Sequence, residues 1–334
     1  MTSPFKKVPP IDEDGANAKI AAVIPCFRAR KYILKVLEGI GNEISAIYVI
    51  DDHCPENTGD YVTSSCKDPR VVVIRHQRNL GVGGAIITGY QHAYNDGAII
   101  AVKMDGDGQM NPSYIPDLIN PLLSGESDYT KGNRFGGVQY LREMPLLRVF
   151  GNSFLSFCSK LSSGYWNILD PTNGFTAIHL SVLSILPLER ISKKYFFESD
   201  LLHHLNIVDA VVTDIPMPAR YRGERSNLRI YKVVPEFLIK HIYNFFRRLV
   251  VKYFMRNISI ASLELFLGTL FFISGLTFGL YHWTEALIAN YFVSSGTVML
   301  AALPMIIGTQ LLIAFLSHDY QNVPKIPIHK NTGK

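Results

Sequence analysis

Short apolar runs separated by polar turns fill most of the chain, and two long unbroken apolar stretches fill its last quarter. Ile20 to Ile24 is a β-branched and alanine run closed by Pro25, and Tyr32 to Ile40 behind it carries apolar residues at helical spacing. Ile44 to Ile50 reads as a second strand, Val71 to Ile74 as a third leading into a helix that ends near Tyr94. Ala98 to Ala101 reads as a fourth, introduced by the turn signal Asn95-Asp96-Gly97. Strands alternating with helices predict an α/β domain whose mostly parallel sheet is covered by helices on both faces. In such sheets ligands bind beyond the carboxyl ends of the strands. Pro25, Asp51-Asp52 and the Asp105 to Gln109 loop all stand there, so separate parts of the sequence predict one crevice.

The fourth strand runs into Asp105-Gly106-Asp107-Gly108-Gln109. Glycine between and after the carboxylates removes side-chain bulk, so the oxygens of Asp105, Asp107 and Gln109 can converge on one hard cation. Mg²⁺ or Mn²⁺ suits such a set, because these ions take a few carboxylates and complete their shell with water and phosphate oxygens. A polar turn that caps the next helix at Asn111-Pro112 accounts for the same residues. The Gly81 to Gly84 loop follows the third strand and lacks the G-x-G-x-x-G spacing, which argues against a dinucleotide-binding fold. Those glycines either open a helix close to a ligand or let helix and sheet pack tightly. Asp170-Pro171-Thr172-Asn173-Gly174-Phe175 is a turn that would bring a carboxylate and an amide to the open end of the sheet. Glu198 and Asp200 stand where a helix begins, a position that favours acids in any case.

The apolar fraction, 48%, is high for a wholly soluble chain and directs attention to the C-terminus. Residues 262 to 283 and 291 to 316 are each long enough to cross about 30 Å of hydrocarbon as a helix. The connection between them is short, which makes a hairpin with both ends on one side. Before the hairpin, from Val233 to Met255, apolar and aromatic residues alternate with Lys240, His241, Arg247, Arg248 and Lys252, the pattern of a basic helix lying on a membrane surface. Lys325, Lys330 and Lys334 follow it, so the positive-inside rule puts both ends in the cytoplasm. The net charge of +5 adds little to this. Four scattered cysteines, Cys26, Cys54, Cys66 and Cys158, without a C-x-x-C pair, fit a reduced cytosolic domain. The organisation expected is a loose tail over 1–18, a catalytic domain over 19–232, amphipathic juxtamembrane helices over 233–257, two transmembrane helices over 258–318 and a cytoplasmic tail over 319–334.

Ala22-Val23-Ile24-Pro25, Val49-Ile50-Asp51-Asp52, Asn79-Leu80-Gly81-Val82-Gly83-Gly84-Ala85, Asp105-Gly106-Asp107-Gly108-Gln109 and Lys131-Gly132-Asn133-Arg134, in that order, resemble the family 2 glycosyltransferases of GT-A fold. Within them the chain is most similar to the polyprenyl-phosphate hexosyltransferases, which include dolichol-phosphate mannosyltransferases and bacterial glucosyltransferases of the GtrB type. The resemblance implies that Pro25, Phe27, Asp51, Asp52 and Gly81 border the nucleoside of a sugar nucleotide, and that Asp105, Asp107 and Gln109 hold Mg²⁺ or Mn²⁺ on its diphosphate. It implies that Arg134, with Arg148 and Asn152, meets the lipid phosphate, and that Arg222 and Arg225 lie on a loop closing over the donor. Asp107, Asp170 and Glu198 are the expected catalytic carboxylates, the latter two orienting sugar hydroxyls or taking a proton. The family inverts at the anomeric carbon without a covalent enzyme intermediate.

Phe27-Arg28-Ala29 and His53-Cys54 stand where the family often has Tyr-Asn-Glu and Gly-Ser, at the base and ribose. The expected donor is UDP-glucose, with GDP-mannose and UDP-N-acetylglucosamine as alternatives. The expected acceptor is a polyprenyl phosphate such as undecaprenyl phosphate, reached from the cytoplasmic face of a bacterial inner membrane. A homo-oligomer is expected and no nucleic-acid partner. A processive polysaccharide synthase would usually carry Gln-x-x-Arg-Trp, which this sequence lacks. A membrane-tethered, noncatalytic nucleotide-sugar binder is the alternative from another class.

Overall fold

A computed structural model of the chain describes residues 18–135, 146–218 and 230–332. Seven strands form one sheet: β1 (Ile20–Cys26), β2 (Ala46–Asp51), β3 (Val71–Arg75), β4 (Ile100–Lys103), β5 (Tyr129–Asn133), β6 (Thr176–His179) and β7 (Val212–Pro216). Their order is β3-β2-β1-β4-β6-β5-β7. All neighbours pair in parallel except β6, which runs antiparallel to both β4 and β5. The sheet is therefore mixed and mostly parallel, as the alternation of apolar runs predicts. Each of the first four strands reaches further toward its carboxyl end than its apolar run. In β1 the strand continues through Pro25, which comes after the last β1–β4 pair, Val23↔Lys103, so its missing N–H falls where β4 has already left.

Helices α1 (Ile33–Glu38), α2 (Thr58–Ser65), α3 (Val82–Asn95) and α4 (Ile115–Leu123) connect the strands, followed by α5 (Leu146–Ser163) and α6 (Phe197–Ile207). Ile33, Val36 and Leu37 of α1 and Ile115, Leu118, Ile119 and Leu122 of α4 join Ile24, Ile47, Val49 and Val102 of the sheet in one buried cluster. α3 packs close on β1: a Cβ on Gly89 would overlap the Val23 side chain. That crowding fixes the end of α3 that lies near the carboxyl edge of the sheet.

The chain divides into two compact units, residues 1–245 together with 324–334, and residues 246–323. α7 (Ile230–Val250) begins in the first and ends in the second, running on into a π-helical turn, Val251–Arg256. The second unit is a hairpin of α8 (Ile260–Ala289) and α9 (Ser295–Gln321); Ser259 caps the start of α8, Ser294 makes α9 begin later than the sequence predicts, and both helices run on past their predicted C-terminal ends. Both helices are long and apolar enough to cross a membrane, and only 11% of the most apolar stretch of each is buried, unlike the core helices of a soluble domain. Glycines let them touch: a Cβ on Gly275 would come within 2.6 Å of the Ala301 carbonyl oxygen, and one on Gly308 within 2.5 Å of the Phe272 nitrogen. At the base of the hairpin the buried Arg248 guanidinium grips Asp319 through both nitrogens, at 2.5 and 3.0 Å, and the Tyr253 hydroxyl donates to the same carboxylate at 2.6 Å. A charge pair this buried needs such close matching at the carboxylate to persist.

Candidate active site

Three neighbouring strands bring the site together. β4 ends at Lys103 and β5 at Asn133, on the same edge, while the antiparallel β6 starts there. The loops that follow β4 and β5 and precede β6 must therefore converge. They enclose a concavity of about 130 Å³ lined by Asp105, Asp107, Gln109, Arg134, Thr172 and Asn173, among others. Of the residues expected in one crevice, the Asp105 to Gln109 loop lines this cavity, whereas Pro25, Asp51 and Asp52 are not among its lining residues.

Within the β4 loop, Asp107 Oδ1 accepts from the Gln109 amide at 3.0 Å, and Gly108 takes a positive φ of 73°. Gln109 lines the same cavity as the two carboxylates. Asn111 caps the next turn through Ser113 N, with Pro112 at its first position, so the capping role also exists, but three residues or more beyond the carboxylates. Among the described residues no three His, Cys, Asp or Glu side chains form a metal cluster. Two carboxylates and an amide on an open loop could instead supply oxygen donors to a Mg²⁺ or Mn²⁺ ion that completes its shell with phosphate and water.

Arg134, just past β5, closes the other side. Its Nε and one terminal nitrogen donate to the two oxygens of Asp170 at 2.7 and 3.0 Å, and its backbone N–H adds a third bond at 3.2 Å. Burial would raise the Asp170 carboxyl, yet the Arg134 hydrogen bonds and charge, with Lys131 behind, hold it below the usual carboxylate range. Asp170 is fully buried, whereas a third of the Arg134 side chain faces the cavity. The arginine thus comes with its planar fork already held in place by a carboxylate beneath it.

Glu198, in the first turn of α6, points at the same place: its Oε1 lies 3.1 Å from Lys103 Nζ. Lys103 is also 2.8 Å from Asp105 Oδ1. Lys131 of β5 is fully buried and donates to the Asn173 carbonyl. Burial takes its ammonium down to about 8 against the pull of Glu198 and Asp170. Neither lysine was singled out from the sequence. A lysine inside an apolar strand run, as in Ala101-Val102-Lys103-Met104, is the signal that would have found the first.

Asp51 and Asp52 stand at the end of β2 as expected, and their carboxylates serve the protein's own backbone. Asp51 accepts from Cys54 N at 2.7 Å and Gly59 N at 2.6 Å. Asp52 accepts from Leu80 N and Gly81 N, each at 2.8 Å, and lies 2.8 Å from His76 Nδ1. They hold the loops after β2 and β3 in place beyond the carboxyl ends of those strands. Gly81 has a φ of 86°, and Gly83 packs so tightly on Phe197 and the Ser192 carbonyl that a Cβ there would clash. Close packing therefore accounts for that glycine. Phe27 is 48% exposed at the end of β1, next to Pro25. Arg148 and Asn152 lie on α5, and their side chains are outside the described residues, as are Arg222 and Arg225 altogether.

A mostly parallel sheet with an acidic loop at its central strand end is the architecture of GT-A glycosyltransferases. Glucosyl-3-phosphoglycerate synthase from Mycobacterium tuberculosis, solved with Mn²⁺ and UDP, shares it at a TM-score of 0.53 and 20% identity, over 74% of this chain and 86% of that one. Residues 21–186 match the model of the family described as glycosyl transferase family 2. The UDP-N-acetylglucosamine–dolichyl-phosphate N-acetylglucosaminyltransferase of Methanococcus voltae is 30% identical over 71% of this chain and 97% of its own length. The undecaprenyl-phosphate mannosyltransferase of Micrococcus luteus is 26% identical over 60% of this chain and 82% of its own. The chain belongs to glycosyl transferase family 2 and is a glycosyltransferase.

Proposed function

We propose that the protein transfers a sugar from a sugar nucleotide to a polyprenyl phosphate at a membrane surface. The observation that carries this reading is the meeting of two oppositely charged sets in one cavity: Asp105, Asp107 and Gln109 on one wall, Arg134 on the other. The first set suits a metal–diphosphate and the second a phosphate monoester. The Methanococcus and Micrococcus relatives, both named for polyprenyl-phosphate acceptors, support the same pairing.

A divalent ion held by Asp105, Asp107 and Gln109 would stabilise the charge on the departing nucleoside diphosphate. The protein's own part is to bring a second anion up to the first. A phosphate monoester has a second pKa of about 6, so the acceptor arrives largely as a dianion and is its own nucleophile. Arg134 meets it with a fork whose orientation Asp170 has fixed, through charge-assisted bonds. Asp170, low in pKa and occupied on both oxygens, then serves as the arginine's anchor and leaves sugar contacts to Glu198. Arg148, Asn152, Arg222 and Arg225 keep the acceptor and donor roles that the family resemblance implies for them.

The donor proposed first is UDP-N-acetylglucosamine, which the Methanococcus relative supports over nearly its whole length. UDP-glucose stands second, favoured by the two-helix C-terminal hairpin. That hairpin is read as transmembrane. Pro324–Lys334 folds with the same unit as residues 1–245, which supports both of its ends lying on the catalytic side. The exposed Ile239, Ile242, Tyr243 and Phe246 of α7 support contact with the bilayer surface.

The test is transfer of radiolabel from UDP-N-acetylglucosamine, UDP-glucose and GDP-mannose to polyprenyl phosphate by the purified full chain, with Mg²⁺, Mn²⁺ or EDTA. Metal-dependent label in the lipid phase from one donor supports the reading and names the sugar. Absence of lipid label, with donor still bound, overturns it in favour of a binder or a different acceptor.

A further inference from the structure

Neither a diphosphate nor a lipid phosphate requires Lys103. Its side chain is 2% exposed on the central strand β4, fixed by pairing to Val23 on one side and Thr176 on the other. Its Nζ lies 2.8 Å from Asp105 Oδ1 and 3.1 Å from Glu198 Oε1, so these two oxygens can be no further apart than the sum of those contacts. Two carboxylates so close would repel unless a cation stood between them. The Lys103 ammonium stands within ion-pair distance of both. Gly174 makes room for it: a Cβ there would run into Nζ and stand 3.0 Å from Asp105 Oδ2.

We infer that Lys103 is a resident cation occupying the place of a second divalent ion. It ties Glu198 to Asp105 and keeps a metal out of the gap between them, so that one ion binds, at Asp105, Asp107 and Gln109. Without the ammonium, the two side chains would have only to draw together for Mg²⁺ or Mn²⁺, whose bonds to oxygen are about 2.0–2.2 Å, to bridge them. An ion in that gap would draw Asp105 away from the diphosphate and take Glu198 from the sugar. An ammonium on a β-strand stem pairs with both carboxylates, offsets one of their two charges and cannot exchange. Lys103 is in this sense a positioning residue, and the inference rests on the metal reading of the preceding section.

Mn²⁺ binding to the full chain in detergent, counted by electron paramagnetic resonance with the metal alone and with UDP, tests it. The native chain is expected to bind one Mn²⁺. Lys103→Met is expected to bind two, and the double variant Lys103→Met, Glu198→Gln to return to one. Gly174→Ala keeps every charge but displaces the ammonium, so it too is expected to admit a second, weaker ion; it decides the matter if Lys103→Met does not fold. One ion in the native chain and still one, with unchanged affinity, in Lys103→Met or Gly174→Ala overturns the role of Lys103 and leaves the metal site standing. No ion in the native chain overturns the metal reading itself, and this inference with it.

Discussion

Asp128 and His329 stand 201 positions apart in the chain, and His329 Nδ1 lies 2.7 Å from Asp128 Oδ1. Asp128 precedes β5, at the edge of the sheet opposite the catalytic crevice. It is fully buried and also accepts from the backbone N–H groups of Val211, Ile328 and His329, at 2.7, 3.0 and 2.9 Å. His329 stacks on His179 with ring centroids 4.3 Å apart. The segment after the last apolar helix is therefore clipped onto the catalytic unit by a single carboxylate.

Burial would raise the Asp128 carboxyl, but the bonds from His329, Val211 and Ile328 hold it below the ordinary carboxylate range. A depressed carboxyl stabilises the fold above its ordinary pKa and loses that contribution as pH falls through the folded value. The clip is thus expected to hold from neutral pH down to the ordinary carboxylate range and to open only in stronger acid. Asp128→Ala, which strands buried N–H donors, is expected to cost about 3 kcal/mol. Hydrogen exchange at Ile328 and His329 would report release of the segment, and unchanged protection in Asp128→Ala would show that the clip holds nothing.

Arg134 is expected to govern the acceptor more than the donor. Arg134→Lys keeps a charge but loses the fork on Asp170, and the KM for lipid phosphate is expected to rise about 10- to 100-fold, the worth of charged hydrogen bonds of 1.5–3 kcal/mol. The donor KM is expected to move little. Equal loss for both substrates would remove Arg134 from the acceptor site. Arg134→Ala is less informative, since it leaves Asp170 buried without its partner, at a cost of about 3–5 kcal/mol in stability.

What could be read from the sequence was whatever local pattern determines. Four apolar runs correspond to the first four strands, and Asp105, Asp107 and Gln109, whose spacing and glycines are chemical signals in themselves, line one cavity. Side-chain partnerships across distant loops left no such trace. Asp170 was expected near the sugar, but only the fold shows that Arg134, 36 positions earlier, has both of its oxygens. Asp51 and Asp52 read as ligand-binding acids by position, and their bonds to the amides of Cys54, Gly59, Leu80 and Gly81 could not be read from the order of residues. Likewise 319–334 read as a tail because no pattern in Ile326 to Lys330 announces a clip to Asp128.

Asp214 of β7 gives a pH test of the same unit. Burial raises its carboxyl from 3.8 to about 6, offset in part by a bond from Leu169 N and by Lys131. One of its oxygens, Oδ1, is buried without a hydrogen-bond partner. A carboxyl raised in the folded state favours folding below its ordinary pKa, and that advantage is lost as pH climbs to about 6. Asp214→Asn is expected to be more stable than the native chain at pH 8, by about 1–2 kcal/mol, with the difference vanishing near pH 4. Thermal melting across that range is the measurement; a variant that is less stable at pH 8 would mean that the Lys131 and Lys160 charges need this carboxylate ionised.

The hairpin depends on small residues where α8 and α9 cross. Gly275→Leu would drive a side chain into the Ala301 carbonyl and Met305, and is expected to separate the helices. A pair of cysteines placed at the crossing is expected to crosslink in the native background and to fail in Gly275→Leu. Retained crosslinking would mean that the helices meet elsewhere.

Asp107 bears most directly on the chemistry. It shares the loop with Asp105 and Gln109, while the two ion pairs of Lys103 run to Asp105 and Glu198. Its loss is expected to remove a proposed metal donor and to leave those two pairs in place. Asp107→Ala is expected to fold as the native chain does, by melting temperature, and to lose at least ~1,000-fold in kcat, since metal stabilisation of a leaving group supplies several kcal/mol and each 1.36 kcal/mol is a factor of ten. EDTA is expected to do the same to the native chain and Mn²⁺ or Mg²⁺ to reverse it. Near-normal turnover in EDTA, with Asp107→Ala still inactive, would move Asp107 from holding a metal to holding the sugar, and would leave the departing diphosphate to be stabilised by arginines alone.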